Sequence, residues 1–256
     1  MPSALNRQVR QYWEQEPCGT SAQIAGTDHQ PLSREWFERI EQHRYHAEPM
    51  IRDVAQFEAH RGERILEIGV GAGTDHLQWA RAGCQCNGVD LTQAAIDTVR
   101  SRLAMYGFES NLQRLDAERL PFEDAGFDLV YSWGVIHHSE HPDAIVTEIL
   151  RVLRPGGKFI GMVYGRRSLL VAKMWLRHAL LAGKPWRSPA DIVWHHMESI
   201  GTKAYTMAEV RQLLRAFSHV SIRPWRTIYD TARLPAWLAK HIPDRWGWFI
   251  TFEATR

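Results

Sequence analysis

Cysteine is scarce in this chain. Cys18, Cys84 and Cys86 are too few for a disulfide framework, and the Cys84-x-Cys86 pair lacks the second pair of ligands that a zinc site requires, so reduced thiols and no metal are expected. Long apolar runs are missing as well. Nothing approaches the roughly eighteen uninterrupted apolar residues of a membrane span, and the opening MPSALNRQVRQYWEQEP has no apolar stretch of the kind a secretion signal carries. A cytoplasmic protein is expected. Neither sign of charge is in excess: 31 basic against 29 acidic residues give no global field to draw the chain to nucleic acid or an anionic surface, although local patches stay open. What is present is an apolar share of 45% and a charged share of 23%, which exclude disordered, collagen-like and coiled-coil classes. Tryptophan (11 residues) and arginine (26 of the 31 basic residues) are abundant.

Periodicity divides the chain. Residues 1–60 read as a helical cap: Val9, Tyr12 and Trp13 share one face of a first helix, a Gly/Thr/Ser-rich break covers 18–33, a second helix runs over 34–46, and Pro49 opens a third reaching about residue 60. From Arg64, short apolar runs alternate with amphipathic helices, as βαβ units around a parallel sheet do. Strands are predicted at 64–68, 85–89, 112–115, 127–132 and 158–163, with helices at 75–82, 92–106 and 143–153, so 61–164 is the core. An apolar helix over 168–181 and a Trp/His-rich stretch then break the rhythm, and 165–204 reads as an inserted lid. Thr206 caps a further helix to 217, and strands at 219–225 and 248–254 let 205–256 complete a sheet with an antiparallel edge.

The most informative segment is Glu67-Ile-Gly69-Val-Gly71-Ala-Gly73 after the first strand, with Asp90 closing the second strand 17 residues beyond Gly73. Residues without side chains let backbone N–H groups approach a ligand closely, and a carboxylate at the next strand end is placed to accept both hydroxyls of a ribose. A tight strand-to-helix turn alone accounts for the glycines equally well. Three features point to an adenosine with a cationic tail. The spacing is G-x-G-x-G, not G-x-G-x-x-G, and Glu67 would repel a pyrophosphate but not an ammonium. Asp116-Ala117 follows the third strand, with a carboxylate for an adenine amine. Asp128 to Gly134 ends the fourth strand at the reversal of strand order, where ligands of open α/β sheets sit.

Over about 64–163, the runs ILEIGVGAGT, GVDLT, LDAERLPFEDAGFDLVYSWGVIHH and EILRVLRPGGKF resemble, in order and spacing, the class I S-adenosylmethionine-dependent methyltransferases, specifically the small-molecule branch with a type 11 methyltransferase domain. The resemblance implies a Rossmann-like α/β fold: a seven-stranded, mostly parallel sheet with one antiparallel edge strand and helices on both faces. It also implies S-adenosylmethionine as cofactor. The loop Gly69, Val70, Gly71 and Gly73 would lie beside the methionine part with Glu67 before it; Asp90 would hold the ribose, Leu91 and Ala117 would contact adenine, Asp116 would bind its amine, and Trp133 would join this set.

A sulfonium methyl is already activated, so the protein need only align a nucleophile, desolvate it and remove a proton where there is one. His137 and His138, just after the fourth strand, are the candidate bases, imidazole being the side chain whose ordinary pKa is nearest neutrality. By position His138 resembles the histidine that phosphobase methyltransferases use with an N-terminal tyrosine, which makes Tyr12 its expected partner. Structural packing over the cofactor is the alternative for either histidine. The acceptor, a small molecule of aromatic or amphipathic character, is expected against Trp13, Trp36, Tyr45, Tyr164, Arg166, Trp194, His195 and Tyr205, since aromatics offer rigid apolar walls with polar tips. The apolar segment 168–183 reads as a lid or subunit contact, or else as an interfacial helix admitting a lipid-like acceptor.

Methyl transfer to an oxygen or nitrogen of a small molecule covers every motif. A nicotinamide-linked oxidoreductase is disfavoured by Glu67 and the glycine spacing. A cofactor-binding but catalytically silent regulatory or scaffold subunit stays open, as do monomer and homodimer. Nucleic acid is not expected as a partner, because no basic stripe interleaved with aromatics is present.

Overall fold

The computed structural model describes residues 3–232 and 234–256. Seven strands, β1 (Arg64–Ile68), β2 (Gln85–Asp90), β3 (Asn111–Arg114), β4 (Phe127–Trp133), β5 (Leu153–Tyr164), β6 (Ser218–Trp225) and β7 (Phe249–Thr255), make one sheet in the order β3-β2-β1-β4-β5-β7-β6. Strands β3 to β5 are parallel, and β7 runs antiparallel between β5 and β6. Strand order reverses between β1 and β4, which opens a crevice at their carboxyl ends.

Alternation along the strands sorts the core into two faces. Ile65, Leu129, Tyr131, Ile160 and Met162 pack with Leu77 and Trp79 of α5 (Thr74–Arg81) and with Val99 and Leu103 of α6 (Gln93–Met105). Leu66, Ile68, Val130 and Phe159 point the other way, onto Ile145 and Ile149 of α7 (Pro142–Val152) and Val210 of α10 (Met207–Leu213). Burial on both faces is what a central parallel strand requires, and each fully buried aliphatic side chain contributes about 1.5–3 kcal/mol.

Four helices precede the sheet: α1 (Ala4–Gln15), α2 (Ala22–Ala25), α3 (Arg34–Ala47) and α4 (Met50–Ala55). The third predicted helix is shorter than its pattern suggests. It stops at Gln56, whose φ of 47° is left-handed, and a single tight turn, Phe57–His60, then carries Phe57 edge-on onto Trp79 at 4.4 Å. Between β5 and β6 lie α8 (Leu169–Trp175), α9 (Pro189–His196) and α10, and α11 (Ile228–Thr231) and α12 (Ala236–Ala239) precede β7. The predicted 168–181 helix is regular only to Trp175. Beyond it the turns widen, Leu181 N–H donating to the Leu176 carbonyl at 2.9 Å, until Gly183 ends the run with φ of 70°.

Candidate functional site

The turn after β1 is left-handed at Gly69, Gly71 and Gly73. A Cβ on Gly69 would run into Val135, and one on Gly71 would lie 3.3 Å from the Cys18 carbonyl, so the loop needs bare residues both to turn and to pass under its neighbours. Asp90, at the end of β2, has its Oδ1 held by the Thr92 N–H and hydroxyl (2.9 and 2.8 Å), while Oδ2 lies 3.3 Å from the Gly71 N–H. Burial pushes the Asp90 pKa up, against these hydrogen bonds. Glycine loop and carboxylate are therefore adjacent at the carboxyl ends of neighbouring parallel strands. Leu91 and Ala117 are half-buried at the same edge.

Helix α1 straps this edge. The Asn6 amide donates to Asp116 Oδ2 (2.9 Å) and Glu118 Oε1 (2.7 Å), and its oxygen accepts from the Glu140 N–H (2.8 Å). The Asn6 amide thus already occupies Oδ2 of the carboxylate that the sequence assigns to an adenine amine. Glu14, near the other end of α1, accepts from the first N–H groups of α6, those of Gln93 and Ala94.

Glu67 is a different matter. Its carboxylate is buried and bonded to His76 Nδ1 at 2.9 Å, with His76 Nε2 held by Ser110, so it links β1 to α5. Burial raises its pKa. Beside it, Asp75 accepts two bonds from Arg44 (3.2 and 2.6 Å), one from Tyr45 (3.0 Å) and one from Tyr131 (2.9 Å). Burial opposes the Asp75 charge, but Arg44 and these hydrogen bonds prevail and hold its pKa low. Arg44 also reaches Glu48 (3.7 Å), whose Oε2 accepts the Trp133 indole N–H at 2.7 Å.

The histidines after β4 differ sharply. His137 is 0% exposed, and neither ring nitrogen has a hydrogen-bond partner among the described residues; its ring lies against Tyr164 (3.9 Å between centroids). Burial holds its pKa well below the ordinary value. His138 is anchored. Its Nδ1 lies 3.0 Å from both the Ser199 and Thr202 hydroxyls. Thr202 donates its one hydroxyl proton to the Ser199 carbonyl (2.6 Å), so it must face Nδ1 as acceptor. That network assigns the proton to Nδ1 and leaves a lone pair on Nε2.

Nε2 of His138 lies 3.5 Å from Glu198 Oε2, which accepts the Tyr164 hydroxyl at 3.0 Å. Burial, with some help from Lys203, pushes the His138 pKa down to about 3. Burial and the like charge of Glu48 raise that of Glu198. Tyr12, the expected partner of His138, instead packs edge-on against Trp13, and it is Trp13 whose ring meets His138, at 5.7 Å. Among the described residues no hydrogen bond joins Tyr12 to His138.

Cys18 lies between the two groups. The residue as a whole is exposed, but burial of its thiol pushes the pKa up to about 12, with Glu198, Glu48 and Asp90 adding to the rise and Arg44 opposing it. The Cys18 segment therefore joins the two groups: its carbonyl passes over Gly71, and Asp90 from one side and Glu198 from the other both raise its thiol pKa.

The remaining acceptor candidates scatter. Trp13 and Tyr164 come to His138. Trp36 is buried with Phe37, Ile40 and Ala72, and Tyr45 serves Asp75. Trp194 lies under the Lys203 ammonium (5.2 Å), and His195 is exposed beside Asp191. Arg166 pairs with Glu209, and Tyr205 lines a separate cavity of about 300 Å³ with Arg167, Arg211 and Arg245. The structure does not gather Trp36, Tyr45, Arg166, His195 or Tyr205 around His138. Sequence reasoning missed Glu198, Cys18 and Glu48; no motif marks them, and only their placement beside His138, Gly71 and Trp133 does. No cluster of potential metal ligands occurs among the described residues.

Residues 66–161 match the family described as a methyltransferase domain. The ubiquinone biosynthesis O-methyltransferase of Nitrosococcus oceani is 30% identical over 122 residues, 46% of this chain and 52% of that protein, so the chain matches about half the length of this relative. Two solved structures share the fold over nearly the whole chain. The [4+2]-cyclase SpnF has a TM-score of 0.61 at 18% identity, covering 100% of this chain and 96% of that one. Magnesium protoporphyrin IX methyltransferase from Synechocystis PCC 6803, solved with S-adenosylmethionine bound, has a TM-score of 0.59 at 15% identity, covering 99% and 98%.

Proposed function

We propose that this chain, whose residues 66–161 match a methyltransferase domain, is a class I S-adenosylmethionine-dependent methyltransferase that transfers a methyl group to an oxygen or nitrogen of a small molecule held between Asp90 and His138. The observation that carries this reading is the adjacency of Asp90 and the Gly69–Gly73 turn, with Glu198 and Glu48 near enough to act with Asp90 on the Cys18 thiol beside that turn. The donor set suits the cofactor: one carboxylate for ribose hydroxyls, bare backbone for the methionine part, and acidic walls for a molecule carrying a sulfonium and an ammonium. The bound cofactor supplies an activated methyl group on sulfur.

The chain's own residues then have three tasks. Helix α1 and the Cys18 segment cover the cofactor crevice and limit water. Trp13, Tyr164 and His138 form an aromatic wall against which an acceptor is oriented. His138 Nε2 and Glu198 make up the proton-accepting pair: a proton arriving at Nε2 lies next to a carboxylate that balances the imidazolium charge. Residues 1–60 and 165–204 act in this reading as the acceptor-selecting cap and lid.

Calorimetric titration with S-adenosylmethionine tests the cofactor part. Wild-type protein should bind it, and Asp90→Ala should weaken binding about 100-fold or more, the loss of two hydrogen bonds to a charged group at about 1.5 kcal/mol each. Wild-type affinity in that variant would remove the assignment.

A further inference from the structure

Residues 165–190 contain no aspartate or glutamate but carry Arg166, Arg167, Lys173, Arg177, Lys184 and Arg187. In a chain whose charges otherwise nearly balance, this is the most one-sided stretch. Three of these cations are already engaged: Arg166 with Glu209, Arg187 with Asp191, and Lys173 with the carbonyls of Asp230 and Ala232. Arg167, Arg177 and Lys184 have no carboxylate partner among the described residues.

The same segment bares its apolar side chains. Leu181 is 75% and Trp186 77% exposed, Leu176 and Leu180 nearly half, and every residue from Leu180 to Trp186 is exposed. The widened turns past Trp175 set this tip apart from the packed part of α8, and the Trp175 indole N–H, donating to the Arg187 carbonyl at 2.7 Å, ties its two ends together. The tip is thus a fixed apolar knob with cations beside it.

We propose that this tip, Leu176 to Trp186, docks on an anionic phospholipid bilayer, with Leu180, Leu181 and Trp186 entering the interface while Arg177 and Lys184 meet lipid phosphates. Aliphatic and tryptophan side chains beside basic ones are what an interfacial segment needs, and attraction to anionic lipid adds to apolar burial. A second copy of the chain fits less well, because a two-fold contact of this face with itself would oppose cations with cations. Nucleic acid would answer the charge and leave the leucines in water. The segment leaves from Tyr164 and returns to Glu198, Ser199 and Thr202, the residues bonded to one another and to His138, so in the methyl-transfer reading a docked chain would take its acceptor from the bilayer. That the acceptor is drawn from the membrane rests on the methyl-transfer reading; the docking itself does not.

Vesicle co-sedimentation of the full chain tests this, comparing phosphatidylcholine vesicles with vesicles containing phosphatidylglycerol. Binding to the anionic vesicles should be at least tenfold tighter, should weaken with salt, and should fall at least tenfold in a Leu181→Glu/Trp186→Glu double variant. The substituted positions are exposed, so melting temperature and S-adenosylmethionine affinity should match wild type, which separates this result from a failure of the cofactor assignment. Equal binding to both vesicle types, or wild-type binding by the double variant, would overturn the proposal. So would a concentration-dependent dimer that the double variant abolishes while vesicles are ignored.

Discussion

Nε2 of His138 and Oε2 of Glu198 face each other at 3.5 Å across the seam between the turn after β4 and the chain returning from α9. The pair changes what the two histidines after β4 mean. With a pKa near 3, His138 is a neutral imidazole throughout the physiological range and a weak base on its own. Glu198, its pKa raised by burial, supplies the compensating charge.

Turnover should therefore depend on Glu198 as an anion. As pH falls through its raised pKa the carboxylate takes up a proton and the rate drops, so the acid limb of kcat/KM should lie above the ordinary carboxylate value. Glu198→Gln should lower kcat about 100-fold or more, within the range for losing general-base assistance, and should remove that limb, with a much smaller change in S-adenosylmethionine affinity. Tyr12→Phe should change kcat less than about threefold, since no bond joins Tyr12 to the pair. A Glu198→Gln profile superimposable on wild type would dismiss the assignment.

Asn6 holds α1 across the cofactor edge through Asp116, Glu118 and the Glu140 N–H. Asn6→Ala breaks all three bonds and leaves Asp116 Oδ2 and the Glu140 N–H without their partner, while Glu118 keeps Ser139 and His141, at a cost of about 1–3 kcal/mol in stability. The same loss should loosen the strap, so stopped-flow measurements should show S-adenosylmethionine leaving severalfold faster. Unchanged release alongside a lowered melting temperature would make Asn6 a stabilising residue only.

The line between what the sequence discloses and what it hides follows the range of the interactions. The Gly69–Gly73 turn and Asp90 are legible because a strand, its turn and the next strand end are set by local spacing, and β1–β2 pairing joins them. The same holds for most strand positions, which short apolar runs mark to within a residue or two; β5 is the exception, beginning at Leu153 and not at the predicted 158. Glu198 is not legible, since it reaches His138 only after forty residues of insertion have folded back. Nor does an aromatic side chain announce its surroundings: Trp36 and Trp13 look alike in sequence, yet one packs on Phe37 and Ile40 while the other meets His138. Glu67 reads as a carboxylate facing a ligand, and nothing local reveals that His76, nine residues on, takes it up.

Asp75 is buried with Arg44 as its counter-ion. Arg44→Met would strand that carboxylate, and removing one partner of a buried pair typically costs about 3–5 kcal/mol. A large fall in melting temperature is expected, partly recovered in Arg44→Met/Asp75→Asn, where no charge is left uncompensated. If the single variant melts within a degree or two of wild type, the pair is not the structural tie between α3 and α5 that its geometry indicates.

Acid should weaken the fold through the two buried histidines. In the unfolded chain each takes up a proton near the ordinary value of 6.5, whereas the folded state protonates His138 only near 3 and holds His137 well below the ordinary value. Between those limits the unfolded state binds more protons, so stability is fully present above pH 6.5 and is lost as pH falls, by up to about 1.4 kcal/mol per pH unit for each histidine. His137 makes no hydrogen bond through its ring to any described residue and lies tilted against Tyr164, so His137→Phe preserves an aromatic in that place and removes one titrating group. Urea unfolding between pH 7 and pH 5 should show a shallower loss of stability in His137→Phe than in wild type. An identical pH dependence in the two proteins would mean that the His137 ring already takes up its proton in the folded state.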